Sequence, residues 1–297
     1  MIGAFDRRME FIEGGLMMKG LASWLSIISK FWRLYINRDK NIVTEHFLLN
    51  DAYILHHLGL GDHVLCNALV RQLALKYNKI FLFTKIHNFE AIKWMYRDLY
   101  NINILPIKND HQACNYIVDN EVHRLINIGM ERNALKGLEF DQEFNNIIKY
   151  DYSDLLDRLK FDHAFYAQLG FDFSLRWNGY YCERDLNREK RLFESLGLVP
   201  GQYVFVHDDP ERGFVIGGDN IVNKSLMIFR PKPHYSHNIF DYSMILEIAA
   251  EIHCIDSSFK HLTESLGVSV KHLHHYVGLR GSHNSSMSSS RLNWIIH

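Results

Sequence analysis

Residues 53 to 76 read YILHHLGLGDHVLCNALVRQLALK, and few folds accommodate such a stretch. Tyr53, Ile54 and Leu55 suit a short buried strand, Gly59, Leu60, Gly61 and Asp62 a turn. Val64, Leu65, Ala68, Leu69 and Leu73 then recur at helical spacing along one face. Strand, tight turn and amphipathic helix make a βα unit, whose turn lies where open α/β sheets bind ligands, at the carboxyl end of a strand. Two glycines let a ligand approach the backbone closely, and Asp62 sits where the helix begins, a position that favours a carboxylate.

The alternation continues. Residues 79–84 (KIFLFT), 101–107 (NINILPI) and 124–128 (RLINI) read as strands, with a helix over 88–99 between the first two. Strand and helix at short spacing predict a parallel sheet covered on both faces. From 131 to about 187 the pattern turns helical and aromatic-rich, and the polar run ERDLNREK (183–190) leads into a short helix ending at Gly197. A fresh α/β pattern follows. Strands are expected at 203–207 (YVFVH), 226–229 (LMIF), 252–255 (IHCI) and 268–273, with a helix capped by Asp241 and another starting after Asp256-Ser257-Ser258 with Phe259, Leu262 and Leu266 inward. The fold class is α/β, two Rossmann-like units: a first domain over 46–195 and a second over 196–281. Two segments stand apart. Residues 1–45 carry Leu16, Leu21, Trp24, Leu25, Ile28, Phe31 and Trp32 at three- and four-residue steps among lysines and arginines, the pattern of an amphipathic helix that docks on the body or lies in a membrane interface. The serine-rich tail 282–297 reads as flexible.

A formal net charge of −1 gives no global field for nucleic acid. Four scattered cysteines form no CxxC pair and no cleavable signal peptide is recognisable, which points to a reduced, cytoplasmic setting with at most peripheral membrane contact. Eighteen histidines are many, yet His56-His57, His272 and His274-His275 lie at no zinc-site spacing from cysteines or carboxylates, so no metal and no cofactor are expected. No apolar run approaches the roughly 20 residues of a membrane span.

Two α/β units in tandem suggest a ligand held between them. The first turn, with His57, Gly59, Gly61, Asp62 and His63, is glycine-rich with one acid. The second, Asp256-Ser257-Ser258, offers hydroxyls and free N–H groups at a helix start, a good phosphate site. Arg212, Arg230 and Lys232 follow strands of the same unit and could bring positive charge to a diphosphate.

GLGDHVLCNALVRQL resembles the amino-terminal motif of the heptosyltransferases of glycosyltransferase family 9, enzymes of lipopolysaccharide synthesis with the two-domain GT-B fold. IDSSFKHLTESLG (255–267) is similar to that family's carboxyl-terminal motif, Asp-Thr-Gly, a two-residue gap and His-Leu. Asp256, Ser257, His261 and Leu262 match, while Ser258 stands where the family has glycine. Ser-Ser-Phe, with Phe259, also resembles GDP-fucose-using GT-B enzymes, which leaves the donor open. The family's lysine-bearing phosphate loop has no copy; HDDPERG, with Arg212, occupies its place. The resemblance implies an inverting, metal-independent transfer of a sugar from a nucleotide-sugar to a glycan or glycolipid. Asp62 would be the base, Arg212, Arg230, Lys232, Asp256, Ser257, Ser258, Phe259 and His261 the donor side, and His57, Gly59, Gly61 and His63 the acceptor side. Blander readings stand beside it: Asp62, Ser257 and Ser258 as helix caps, His261 as a core histidine, Arg230 and Lys232 as surface charges, Asp208-Asp209 as solvated loop acids. A GT-B-fold sugar-nucleotide epimerase or a non-catalytic nucleotide- or sugar-binding protein would fit the same layout.

Overall fold

A computed structural model of the chain describes residues 51–130, 150–221, 223–277, 279 and 288–297. These fall within one unit, residues 48–297. The amphipathic segment expected at 1–45 lies outside the described residues.

Two parallel sheets organise this unit. The first is built from β1 (Ala52–Leu55), β2 (Ile80–Lys85), β3 (Ile102–Ile107) and β4 (Leu125–Asn127), in the order β3-β2-β1-β4. Ile54 pairs with Leu82 on one side and Ile126 on the other. All three are fully buried, as expected of strands covered on both faces. Helix α1 (Leu60–Ala74) follows β1, α2 (Phe89–Met95) follows β2, and α3 (Asp110–Asp119) follows β3, its start capped by Asn109, whose side chain accepts from the Gln112 N–H. The chain adds β2 and β3 on one side of β1 and then β4 on the other. The β1 turn is therefore at the point where strand order reverses, the ligand position of such sheets.

Short helices α4 (Tyr152–Leu156), α5 (Phe161–Gln168), α6 (Leu175–Asn178) and α7 (Leu186–Ser195) lead to the second sheet. Its strands are β5 (Tyr203–His207), β6 (Met227–Phe229), β7 (Glu251–Ile255), β8 (His272–Tyr276) and β9 (Trp294–Ile296), in the order β6-β5-β7-β8-β9. Helix α8 (Ser243–Glu247) precedes β7 and α9 (Ser258–Leu266) follows it. Here the order reverses between β5 and β7, so Asp256-Ser257-Ser258 also occupies a switch point. One hydrophobic core joins the halves, running from Ile54, Leu65 and Leu69 through Tyr166 to Phe205, Tyr242 and Leu262.

Several expectations are displaced. The last strand of the α/β pattern, expected at 268–273, forms over His272–Tyr276, where it pairs with β7 from Glu251↔His272 to Ile255↔Tyr276. The helix expected from Asp241 is a 3-10 turn, Ile239–Tyr242, running into α8, and the residue capping that turn is Asn238, which accepts from the Phe240 N–H. The larger correction concerns the tail. Residues 288–297 are not a free end: Leu273↔Trp294 and His275↔Ile296 pair β9 parallel to β8. Ahead of β9, Ser289 N–H donates to Asp162 Oδ2 (2.6 Å) and Lys260 Nζ donates to Ser288 Oγ (2.7 Å). Serine-rich composition hid this because the segment serves buried charges rather than an apolar face.

Candidate active site

Both motif turns come together. Helix α1 starts at Leu60 and α9 at Ser258, and the two starts abut: a Cβ added to Gly61 would lie 2.8 Å from His261 Cδ2 and 3.6 Å from Ser258 Cα. Only a glycine permits that approach. The positive ends of two helix dipoles thus converge with two carboxylates, Asp62 and Asp256, close enough to repel one another.

Asp62 is the third residue of α1, not its cap; Gly59 holds the cap position and supplies no side chain. The carboxylate accepts from its own N–H and from the Gly59 N–H, the backward reach of a capping box. Burial raises its pKa to about 6; nearby His57 pulls it down, Asp256 pushes it up, and the backbone donors lower it. A carboxylate poised near neutrality suits a general base, whereas a simple surface cap would stay near the ordinary 3.8.

On the first side, His57 Nε2 donates to the Gly129 carbonyl (2.7 Å) and packs edge-on against Phe165 (5.3 Å). It keeps partial exposure. His63 does not: it is fully buried, 4.2 Å edge-to-face from His56, and burial holds its pKa well below the ordinary value. Its side chain is in the core, not on the open side of the turn where an acceptor contact was expected. Helix α1 is buried from His63 through Val70, so the residue after Asp62 turns into the core.

On the second side, Ser257 caps α9 by position and shares a 3.0 Å hydrogen bond with His207 Nδ1 across the switch point between β5 and β7. Ser258 retains partial exposure. His261 Nε2 and His275 Nε2 lie 4.0 and 3.8 Å from Asp256 Oδ1. Burial, reinforced by Lys260, keeps both imidazoles neutral, with His275 down to about 3, so these are neutral contacts and not ion pairs. Lys260 is itself buried, which lowers its pKa to about 8 despite Glu264.

Other expected donor residues are not brought to this point. The Phe259 ring is core, 5.2 Å from Phe205 and 5.3 Å from Tyr242, because its helix face turns inward. Arg230 Nε donates to Asp208 (3.2 Å to Oδ2) and its Nη2 to the Ile216 carbonyl (2.9 Å), so its charge is matched by the segment that follows β5. Asp208, read as a solvated loop acid, is in fact buried against it. Arg212 is exposed and paired with Asp209 at 3.0 Å, and Lys232 is exposed. Neither guanidinium is drawn to the α9 start. Sequence reasoning missed His207, Lys260 and His275. The signal for His207 was its place at the end of β5, opposite the β7 turn. A cavity of about 650 Å³ lies to one side, lined by Trp94, Arg188, Arg191, Tyr235 and His237 among others and by no residue of either motif.

No protein-family model matches the sequence, and no curated protein matches it. Solved structures do match in shape. A glycosyl transferase of family 9 from Veillonella parvula superposes with a TM-score of 0.51 at 12% identity, covering 84% of this chain and 86% of that one. An ADP-heptose lipopolysaccharide heptosyltransferase II from E. coli gives 0.46 at 9% identity over 77% and 84%. An E. coli heptosyltransferase crystallised with ADP-2-deoxy-2-fluoro heptose gives 0.41 at 12% identity over 84% and 93%. At these identities the likeness is one of fold. The two parallel sheets, each with a reversal of strand order, share their overall fold with a family 9 glycosyltransferase.

Proposed function

We propose that the protein is a glycosyltransferase that moves a sugar from a nucleotide-sugar to the hydroxyl of a glycan or glycolipid acceptor, with inversion and with Asp62 as the base. The observation that carries this reading is the meeting of the two motif turns, with Asp62 held near pH 6 opposite the start of α9. A carboxylate there removes the acceptor's proton as its oxygen attacks the anomeric carbon. Ser257, Ser258 and the first N–H groups of α9 stabilise the departing diphosphate, a task that needs no metal when a helix start faces the charge. Lys260 and the convergent α1 start add positive potential. Because Gly61 lies directly on His261, donor entry requires the two turns to part. The family 9 neighbour supports the same activity by its name.

The test is release of nucleoside diphosphate from a panel of nucleotide-sugars, with and without a glycolipid extract as acceptor, for the wild type and Asp62→Asn. Acceptor-dependent release that the variant loses by at least about 100-fold, the low end of general-base contributions, supports the reading. An unimpaired variant refutes the role of Asp62. Isomerisation of the donor alone, or binding without turnover, refutes transfer.

A further inference from the structure

Away from the motif turns, β7 and β8 place three metal-ligating side chains on one face of the second sheet. Glu251 and His253 are two residues apart on β7, and His253 pairs with His274 on β8. Paired residues of parallel strands share a face, as do residues two apart on one strand. All three are buried, and one donor atom from each lies within 4.8 Å of the other two. The imidazoles stack at 4.2 Å with 4° between their planes, and His253 Nε2 lies 3.1 Å from Glu251 Oε2.

The second layer is what separates this cluster from a chance grouping. His253 Nδ1 shares a 3.0 Å hydrogen bond with the Tyr276 hydroxyl, and His274 Nδ1 shares one of 2.9 Å with His297. Glu251 Oε1 accepts from the Asn223 N–H at 3.1 Å. Each candidate ligand is thus held through one atom, leaving His253 Nε2, His274 Nε2 and Glu251 Oε2 for an ion. Ligating histidines are oriented in this way by their outer nitrogens. His274 Nε2 is fully enclosed and has no hydrogen-bond partner. An orphaned buried nitrogen is destabilising, and a bound cation would offset that cost.

We infer that Glu251, His253 and His274 form a site for a divalent transition-metal ion of the zinc class, with water completing the coordination. Two neutral imidazoles and one carboxylate suit such an ion better than calcium or magnesium, which prefer all-oxygen shells. With metal–ligand bonds of about 2.0–2.1 Å, the donors of a tetrahedral site stand about 3.3 Å apart, so binding draws them in from at most 4.8 Å by local side-chain movement. Along β7, Asp256 lies three residues beyond His253 and five beyond Glu251, which at about 3.3 Å each puts the ion roughly 10–16 Å from the transfer site. The ion ties β7 to β8 and takes no part in sugar transfer.

The test uses the full chain without an affinity tag, stripped with EDTA and dialysed. Calorimetry with Zn²⁺ and the visible absorption of added Co²⁺ should report one tight site per chain, and Zn²⁺ should raise the thermal midpoint. His274→Ala and Glu251→Gln should lose the tight site. His111→Ala, an exposed histidine on α3 outside the second sheet, should keep it. If either ligand variant fails to fold, Tyr276→Phe removes only an outer partner and should weaken Zn²⁺ by about 10–100-fold. Absence of a tight site in the wild type overturns the inference. So does binding unchanged in the ligand variants or in Tyr276→Phe.

Discussion

Replacing Asp62 by asparagine separates a reacting carboxylate from a helix cap, because the two roles predict opposite changes in stability. Burial raises the Asp62 pKa from 3.8 to about 6, so the fold favours the protonated form. At about 1.4 kcal/mol per tenfold change in proton affinity, keeping the group ionised in the folded state costs about 3 kcal/mol. The sign follows from linkage. The cost is absent below about pH 4, grows as pH rises toward 6 and is complete above it. Asparagine keeps a carbonyl oxygen for the Gly59 N–H but gives up the favourable charge at the α1 start, about 0.3–1 kcal/mol. The balance is a gain of about 2 kcal/mol at pH 8 and none at pH 4. In a domain of this size that is a rise of about 4–8 °C in thermal midpoint, readable by scanning calorimetry at the two pH values. Transfer should be lost in the same variant. A lower midpoint for Asp62→Asn at pH 8 would refute the argument and leave Asp62 as a cap.

Further outcomes follow from the contacts around the site. Asp162→Ala strands Arg176, its fully buried partner at 2.7 Å, and frees the Ser289 N–H; denaturant unfolding should show a loss of about 3–5 kcal/mol. Gly61→Ala pushes a methyl to 2.8 Å from His261 and should cost about 1–3 kcal/mol together with transfer, while adding His261→Ala should recover part of the stability. If Gly61→Ala is neutral in both readouts, the close approach of the turns is not required. Phe259→Ala should destabilise by about 3–5 kcal/mol, as a core ring does; a variant of normal stability with weakened nucleotide binding would return Phe259 to the donor side.

Much of the layout could be read from local patterns. The central strands are short apolar runs bounded by turn residues, and both motif turns sit where a strand passes into a helix, so the parallel α/β plan and the two switch-point loops were within reach of the chain's own spacing. What was not legible depended on partners distant in sequence. His63 looked available beside Asp62, but α1 is enclosed by elements from both halves and has no wet face there. Arg230 looked free until Asp208, twenty-two residues earlier, folded back on it. The tail's serines looked disordered because nothing in their composition reveals Asp162 and Lys260 waiting as partners. Glu251, His253 and His274 matched no linear metal motif, since strand pairing, not sequence spacing, sets them side by side.

The central claim is that the facing starts of α1 and α9 receive the diphosphate of a nucleotide-sugar. Thermal-shift titration with ADP, GDP, UDP, CMP and dTDP, on the wild type and on Ser258→Glu, tests it most directly. One nucleoside diphosphate should stabilise the wild type by about 2.7 kcal/mol at a hundredfold excess over its dissociation constant, and the added charge at the α9 start should abolish the effect. No stabilisation by any nucleotide, or equal stabilisation of both proteins, would contradict the account.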